Sequence, residues 1–219
     1  MATRQVLGEL ARAYEQRTGR PVHIESIGGV DAAKRVAAGE AFDFVVLASD
    51  AIDKLVAGGS VVAGTRVDLV NSGVAIAVRA GAPRPDVASE EALKQAVLAA
   101  ASVGYSTGPS GVALLKLFER WGIASALQGR LVQAPPGIPV GSLVAKGEVA
   151  LGFQQRSELI HLQGIDLLGP MPAAVAIDTI FSGGLCRAST QGEAVHDLLA
   201  FMASADAVEA KRRNGMAPT

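Results

Sequence analysis

The sequence predicts an α/β protein, and three observations carry that reading. Short apolar strands alternate with amphipathic helices along the 219 residues, the pattern of a doubly wound layer. Strand-to-helix junctions are rich in glycine and hydroxyls, as at Gly28-Gly29, Ser49-Asp50 and Ser106-Thr-Gly-Pro-Ser-Gly111. Two long apolar strands, Ser72–Val78 and Ile177–Leu185, bracket the middle of the chain. On periodicity alone two arrangements stay open: a middle lobe inserted into an outer one, with these strands as crossovers, or one continuous open sheet.

The elements follow in order. Val6, Leu7, Leu10, Ala11 and Tyr14 recur at helical spacing over Thr3–Thr18, and Gly19 ends that helix. Val22–Ser26 reads as a strand, Asp31–Ala38 as a helix closed by Gly39, and Phe44–Leu47 as a buried strand. Ser49-Asp50 caps a helix to Ala57, stopped by Gly58-Gly59. After Ser72–Val78 comes a turn-rich stretch, Gly81–Pro85, then a helix from Ser89 to Ala101 and a strand at Val103–Tyr105. Val112–Trp121 reads as a helix, Leu131–Gln133 as a strand, Pro135–Pro139 as a loop and Val140–Lys146 as a helix. Ala150–Phe153 reads as a strand, Gln154–Leu162 as a helix and Ile165–Leu168 as a strand. Glu193–Ala203 and Asp206–Arg213 read as the closing helices.

Composition narrows the function classes. Hydrophobic residues make up 49% and charged residues 19%, enough for a large core without disulfide or metal support. The net charge of −1 gives no basis for nucleic acid or an anionic membrane surface as partner. Aromatics at 4% argue against a stacking site for bases or sugars. The single Cys186 has no intramolecular partner and is expected to pack in the hinge-side core. No apolar run reaches the length of a membrane span. No signal peptide opens the chain, which reads as cytoplasmic as it stands and as periplasmic if a natural precursor is longer. His23, His161 and His196 are far apart and show no metal spacing, so neither metal nor cofactor is expected. No Ser-His-Asp order or dinucleotide fingerprint is present, and Gly104–Gly111 lacks the Lys of a P-loop.

Several segments together resemble the type II periplasmic-binding-protein superfamily, in its molybdate-binding-protein-like branch. They are Ala11–Gly19, Ala37–Asp50, Gly147–Gln155 and Asn214–Pro218. The resemblance spans nearly the whole chain. It implies a two-lobed α/β fold with the ligand cleft between lobes: lobe 1 from 1–76 and 183–219, lobe 2 from 77–182. Within that branch, Phe153–Leu159 and the Ser106–Gly111 turn are similar to aconitate-isomerase-like members, whose ligands are small polycarboxylates. The chain departs from the molybdate binders in three ways. Val30 stands where they carry Ser, and Gln154-Gln155 where they often use Tyr. The family also opens with a strand before the first helix, whereas this sequence starts at that helix; a trimmed start and an internal Met1 are both open.

The candidate site residues lie at the strand-to-helix junctions. A helix N-terminus presents unpaired N–H groups and about half a positive charge, and so holds anions without Lys or Arg. On that basis Gly28, Gly29, Ala48, Ser49, Ser106, Ser110, Gly111, Val140, Gly141, Gln154 and Gln155 are expected to contact a ligand. Thr3 and Val30 are expected to contact the ligand as well. Each has a plainer alternative: a turn glycine at Gly28-Gly29, an N-cap at Ser49, ordinary helix initiation after Pro139, or a surface cap at Gln154. Asp31, Glu25 and Glu158 are the acids near these ends. Asp31, beside Gly28-Gly29, is the catalytic candidate, although acids at helix starts are commonly caps.

Three functions are carried forward. The first is a cofactor-independent isomerase of small unsaturated carboxylates, working by allylic proton transfer with one base of tuned pKa. The second is a non-catalytic substrate-binding component of an ABC transporter for molybdate, tungstate or another oxyanion, whose partner would be the transporter permease. The third, a ligand-sensing domain, ranks last because no DNA-binding helix pair accompanies it. A small anion is the expected partner in every case. The ligand's identity and the oligomeric state are left open.

Overall fold

A computed structural model describes residues 1–219. The helices are α1 (Arg4–Thr18), α2 (Gly29–Ala37), α3 (Ser49–Ala57), α4 (Glu90–Ala99), α5 (Pro109–Arg120), α6 (Val140–Lys146), α7 (Arg156–Leu159), α8 (Gly192–Ala203) and α9 (Val208–Arg213). The strands are β1 (Phe44–Ala48), β2 (Val67–Arg79), β3 (Val103–Tyr105), β4 (Leu131–Gln133), β5 (Leu151–Gln155), β6 (Ile165–Pro170) and β7 (Asp178–Leu185). The chain divides into two compact units, Met1–Ser72 with Thr179–Thr219, and Gly73–Asp178. Strand β2 contributes residues to both.

In the first unit β1 pairs antiparallel with β7, Phe44 opposite Leu185 and Ala48 opposite Phe181. Successive side chains of a strand face opposite ways, and both faces of β1 are covered. Phe44 and Val46 join the core of α1, α8 and α9, with Leu10, Leu69, Leu199 and Met202. Val45 and Leu47 join Val36, Ile52 and Leu55 of α2 and α3. Cys186 is 2% exposed within that second cluster. Residues 216–217 complete the unit: Asn71 and Ala217 exchange two backbone hydrogen bonds of 2.8 Å, and Met216 N–H donates to the Lys211 carbonyl.

The second unit is a sheet in the order β6-β2-β5-β3-β4. β2 is antiparallel to both of its neighbours, while β5, β3 and β4 run parallel. Val74, Ile76, Leu151, Phe153 and Val103 face α4 and α5, around Leu93, Leu114 and Phe118. On the other face the strands carry glycine where α6 comes close. A Cβ on Gly152 would lie 2.5 Å from Val144 Cγ2, and one on Gly104 would lie 2.9 Å from Val140 Cγ1. Real Cβ atoms do not approach that closely, so these two glycines set the depth at which α6 lies on the sheet.

Several sequence expectations shift. Val22–Ser26 forms no strand and pairs with none; Val22 N–H donates to Glu15 Oε1 at 2.6 Å, while Val22 and Ile24 pack on the first core. The helix expected over Gln154–Leu162 shrinks to Arg156–Leu159, because β5 continues through Gln155. Helix α5 starts at Pro109 rather than Val112, since proline suits a first helical turn. The last helix begins as a 3₁₀ turn over Ala205–Ala207.

Candidate functional site

The parallel strands of the second unit bring several sequence-predicted residues to one edge. The carboxyl ends of β3, β4 and β5 all point to that edge, and there the chain turns into α5, α6 and α7. Two contacts tie the ends together. Ala134 N–H donates to the Tyr105 carbonyl at 2.9 Å, and Gly141 N–H donates to Gln154 Oε1 at 3.4 Å. In open α/β sheets, ligands bind outside the carboxyl ends of parallel strands.

The start of α5 has fewer free donors than its sequence suggests. Pro109 has no N–H, and the Gly111 amide is spent on the Gly108 carbonyl at 3.0 Å. The Ser110 amide and the hydroxyls remain. Ser106 Oγ and Ser110 Oγ lie 3.1 Å apart and share one proton between them, leaving the other to donate outward. Ser110 and Gly111 are buried, Ser106 is half-buried, and Thr107 is exposed. No side chain caps α5, whereas Ser89 caps α4 through the Ala92 amide.

At the end of β5, Gln154 and Gln155 are both buried. Gln154 Oε1 takes the Gly141 amide, and Gln154 Nε2 donates to Glu158 Oε2 at 2.5 Å. The amide therefore joins the start of α6, with Val140 and Gly141, to an acid on α7. Burial raises the Glu158 carboxyl above the ordinary glutamate range.

The first unit holds the other candidates. Helices α2 and α3 have Gly28 and Ala48 at their N-cap positions and no side-chain cap. The first-turn amides of Gly29, Val30 and Asp31, and those of Ser49 and Asp50, thus have no acceptor within their helices. The Val30 side chain is 63% exposed, in the first turn of α2. Thr3 is buried at the N-cap of α1, where its carbonyl accepts from Leu7 N–H.

The three acids separate clearly. Asp31 has an exposed carboxylate whose ion partner is Lys34 at 4.0 Å, and it curls back over Gly28, 3.6 Å from where a Cβ would stand there. Glu25 is taken by Arg35 at 2.6 Å, which also clamps Glu40. Glu158 alone of the three is half-buried, and its hydrogen-bond partner is the Gln154 amide. The three histidines are exposed, and no group of three potential metal ligands occurs. No helix is long and apolar enough to cross a membrane.

An α/β chain in two units, with helix starts gathered at parallel strand ends, has the form of a periplasmic-type binding protein. The chain belongs to the family described as bacterial extracellular solute-binding protein, whose model matches residues 1–217. It is 41% identical over 216 residues to an aconitate isomerase from Pseudomonas sp., covering 96% of this chain and 82% of that protein. Among solved structures it is similar to the periplasmic molybdate-binding protein of Azotobacter vinelandii, with a TM-score of 0.79 and 19% identity over 98% of this chain and 95% of that one. It is also similar to the substrate-binding domain of a putative molybdenum ABC transporter from Clostridium difficile, with a TM-score of 0.77 and 14% identity over 100% and 95%. The fold is thus the two-lobed, molybdate-binding-like type II periplasmic-binding fold.

Proposed function

We propose that the protein binds a small polycarboxylate and isomerises it by allylic proton transfer, with aconitate as the substrate. The likeness to an aconitate isomerase along nearly the whole chain carries this reading. The candidate site supports it chemically. Carboxylates are held by N–H and hydroxyl donors, which Ser106, Ser110 and the helix starts at Gly28, Gly29, Val30, Ala48 and Ser49 offer. Thr3, Gly111, Val140, Gly141, Gln154 and Gln155 complete the proposed contact set. The reaction moves a proton from one end of a three-carbon unit to the other. It needs no redox partner, only an acid–base group that can give up and regain a proton near neutral pH.

The reading favours a carboxylate over a tetrahedral oxyanion. Val30 and Gln154 offer no hydroxyl donors to a tetrahedral oxyanion, while a side-chain amide still suits a planar carboxylate. A site lacking the donors that a ligand requires discriminates against it strongly. The family description supports a second reading, a carrier that delivers an anion to a transporter permease without chemistry. Calorimetry with cis-aconitate, trans-aconitate, citrate, molybdate and tungstate, followed by proton NMR of bound tricarboxylate in D2O, separates the two. Conversion or deuterium incorporation supports the isomerase. Tight molybdate binding with no response to tricarboxylates overturns it.

A further inference from the structure

The geometry points to Glu158, held by Gln154, as the group that carries the proton. This rests on the isomerase reading and assigns its acid–base residue. Three observations converge on it. Glu158 lies three residues beyond Gln155, at the edge where the parallel strands end. Its carboxylate is oriented from behind: Gln154 Nε2 donates to Oε2 at 2.5 Å, and Gln154 is itself anchored through Oε1 to the Gly141 amide. The other two acids named by the sequence are unsuited to the task, Asp31 being solvated beside Lys34 and Glu25 being bound to Arg35.

A base that must also act as acid works best when its carboxyl titrates closer to neutrality. Burial moves the Glu158 carboxyl in that direction and outweighs the positive charge of the chain N-terminus and the Gln154 hydrogen bond, which both pull it down. A neutral amide partner serves both protonation states, because its N–H bonds one carboxyl oxygen whether or not the other carries the proton.

The step balances without a co-reactant. A Glu158 carboxylate oxygen takes a proton from the substrate CH2, so that a C–H bond breaks and an O–H bond forms. The electron pair left on carbon spreads over the three-carbon unit and into the adjoining carboxylate. The same O–H then delivers its proton to the far carbon of the unit, which re-forms a C–H bond, restores the carboxylate and shifts the double bond. Nothing is oxidised or reduced. Gln154 is a positioning residue in this scheme.

The test uses the full chain with cis- and trans-aconitate as probes. Glu158→Gln keeps the shape and removes the basicity. It is expected to bind both isomers at least as tightly as wild type within about threefold, while conversion and deuterium exchange fall by roughly 10²–10⁴. Glu158→Asp, which withdraws the carboxylate by one carbon, serves where the glutamine variant folds poorly; with melting unchanged it should convert at least about tenfold more slowly. Gln154→Leu should lower kcat more than it raises KM. Glu148→Gln, on an exposed residue outside the site, is the control that leaves conversion unchanged. Near-wild-type conversion in Glu158→Gln, or loss of conversion in Asp31→Asn alone, overturns this assignment and leaves the isomerase standing. Absence of aconitate binding and conversion in the wild-type protein overturns the isomerase reading and the assignment with it.

Discussion

Gly111 and Ser106 meet without room for a side chain between them: a Cβ on Gly111 would stand 1.8 Å from the Ser106 carbonyl oxygen and 2.9 Å from its carbon. The obstacle is backbone, so no rotamer change relieves it. The contact presses the β3–α5 turn against the first turn of α5 and brings the Ser106 and Ser110 hydroxyls within 3.1 Å.

Gly111→Ala is therefore expected to destabilise the protein by about 3 kcal/mol, the upper end of ordinary overpacking costs. Urea denaturation followed by circular dichroism measures it. Gly192→Ala is the comparison: its methyl would lie 3.6 Å from Leu185 Cδ2, an ordinary contact, in the first turn of α8. That change should leave the midpoint unchanged or raise it.

Lys211 is 0% exposed, and its Nζ has no hydrogen-bond partner. Lys211→Met, similar in length, removes the cost of that burial and should stabilise the chain by about 1–3 kcal/mol. Burial lowers the folded-state pKa of Lys211 below its ordinary 10.5. Between the folded and unfolded values the unfolded chain binds more protons, so this residue makes stability rise with pH up to about 10.5. The variant should lose that rise. Denaturation of both proteins across this window, taken as a difference, isolates the effect.

Cys186 works in the opposite sense. Burial is the main cause and nearby Asp43 a lesser one in pushing its thiol from 9.0 up to about 11. The stability this contributes is complete below about 9 and is lost as pH rises through about 11. With so little thiolate and 2% exposure, the native thiol should react with an aromatic disulfide reagent at neutral pH only as fast as the protein opens. Adding urea above the unfolding midpoint should release full reactivity. Rapid labelling without denaturant would contradict the packing described.

Val30 is the position at which the resemblance to molybdate binders implies a serine, and its side chain is 63% exposed at the start of α2. Val30→Ser supplies a hydroxyl at a position that needs no repacking. It should improve molybdate binding relative to aconitate by roughly tenfold, the worth of one good hydrogen bond at about 1.4 kcal/mol. Competition calorimetry measures the ratio, and an unchanged ratio would remove Val30 from the site.

Much of the fold was legible because its signals are local. Alternation of strand and helix, the stop glycines and the long apolar strands are all written in short windows. What was not legible depends on contacts distant in sequence. Gly104 and Gly152 look like ordinary strand interruptions until α6 is seen to press on both. Val22 and Ile24 have β-forming character, yet the segment finds no ladder and is satisfied instead by Glu15. At the candidate site, the hydroxyls and glycines of Ser106–Gly111 were readable, but the spent Gly111 amide was not. Glu158 stood level with Asp31 and Glu25 in the sequence. It separates from them only because β5 runs two residues further than its pattern suggests, which sets Gln154 between Gly141 and the acid. Lys211 gave no signal at all, since one lysine in a short basic helix reads as solvated.

The interrupted path of the chain imposes an order on its synthesis. Residues 73–178 are contiguous, so that unit has all of its core in hand as soon as they have left the ribosome. The other unit does not: its β1 must wait for β7, and Asn71 for Ala217. Until then the apolar residues of α1 and β1 have no α8 or α9 to cover them. The half made first is thus the half finished last, and its waiting period is when the nascent chain most needs a holding chaperone.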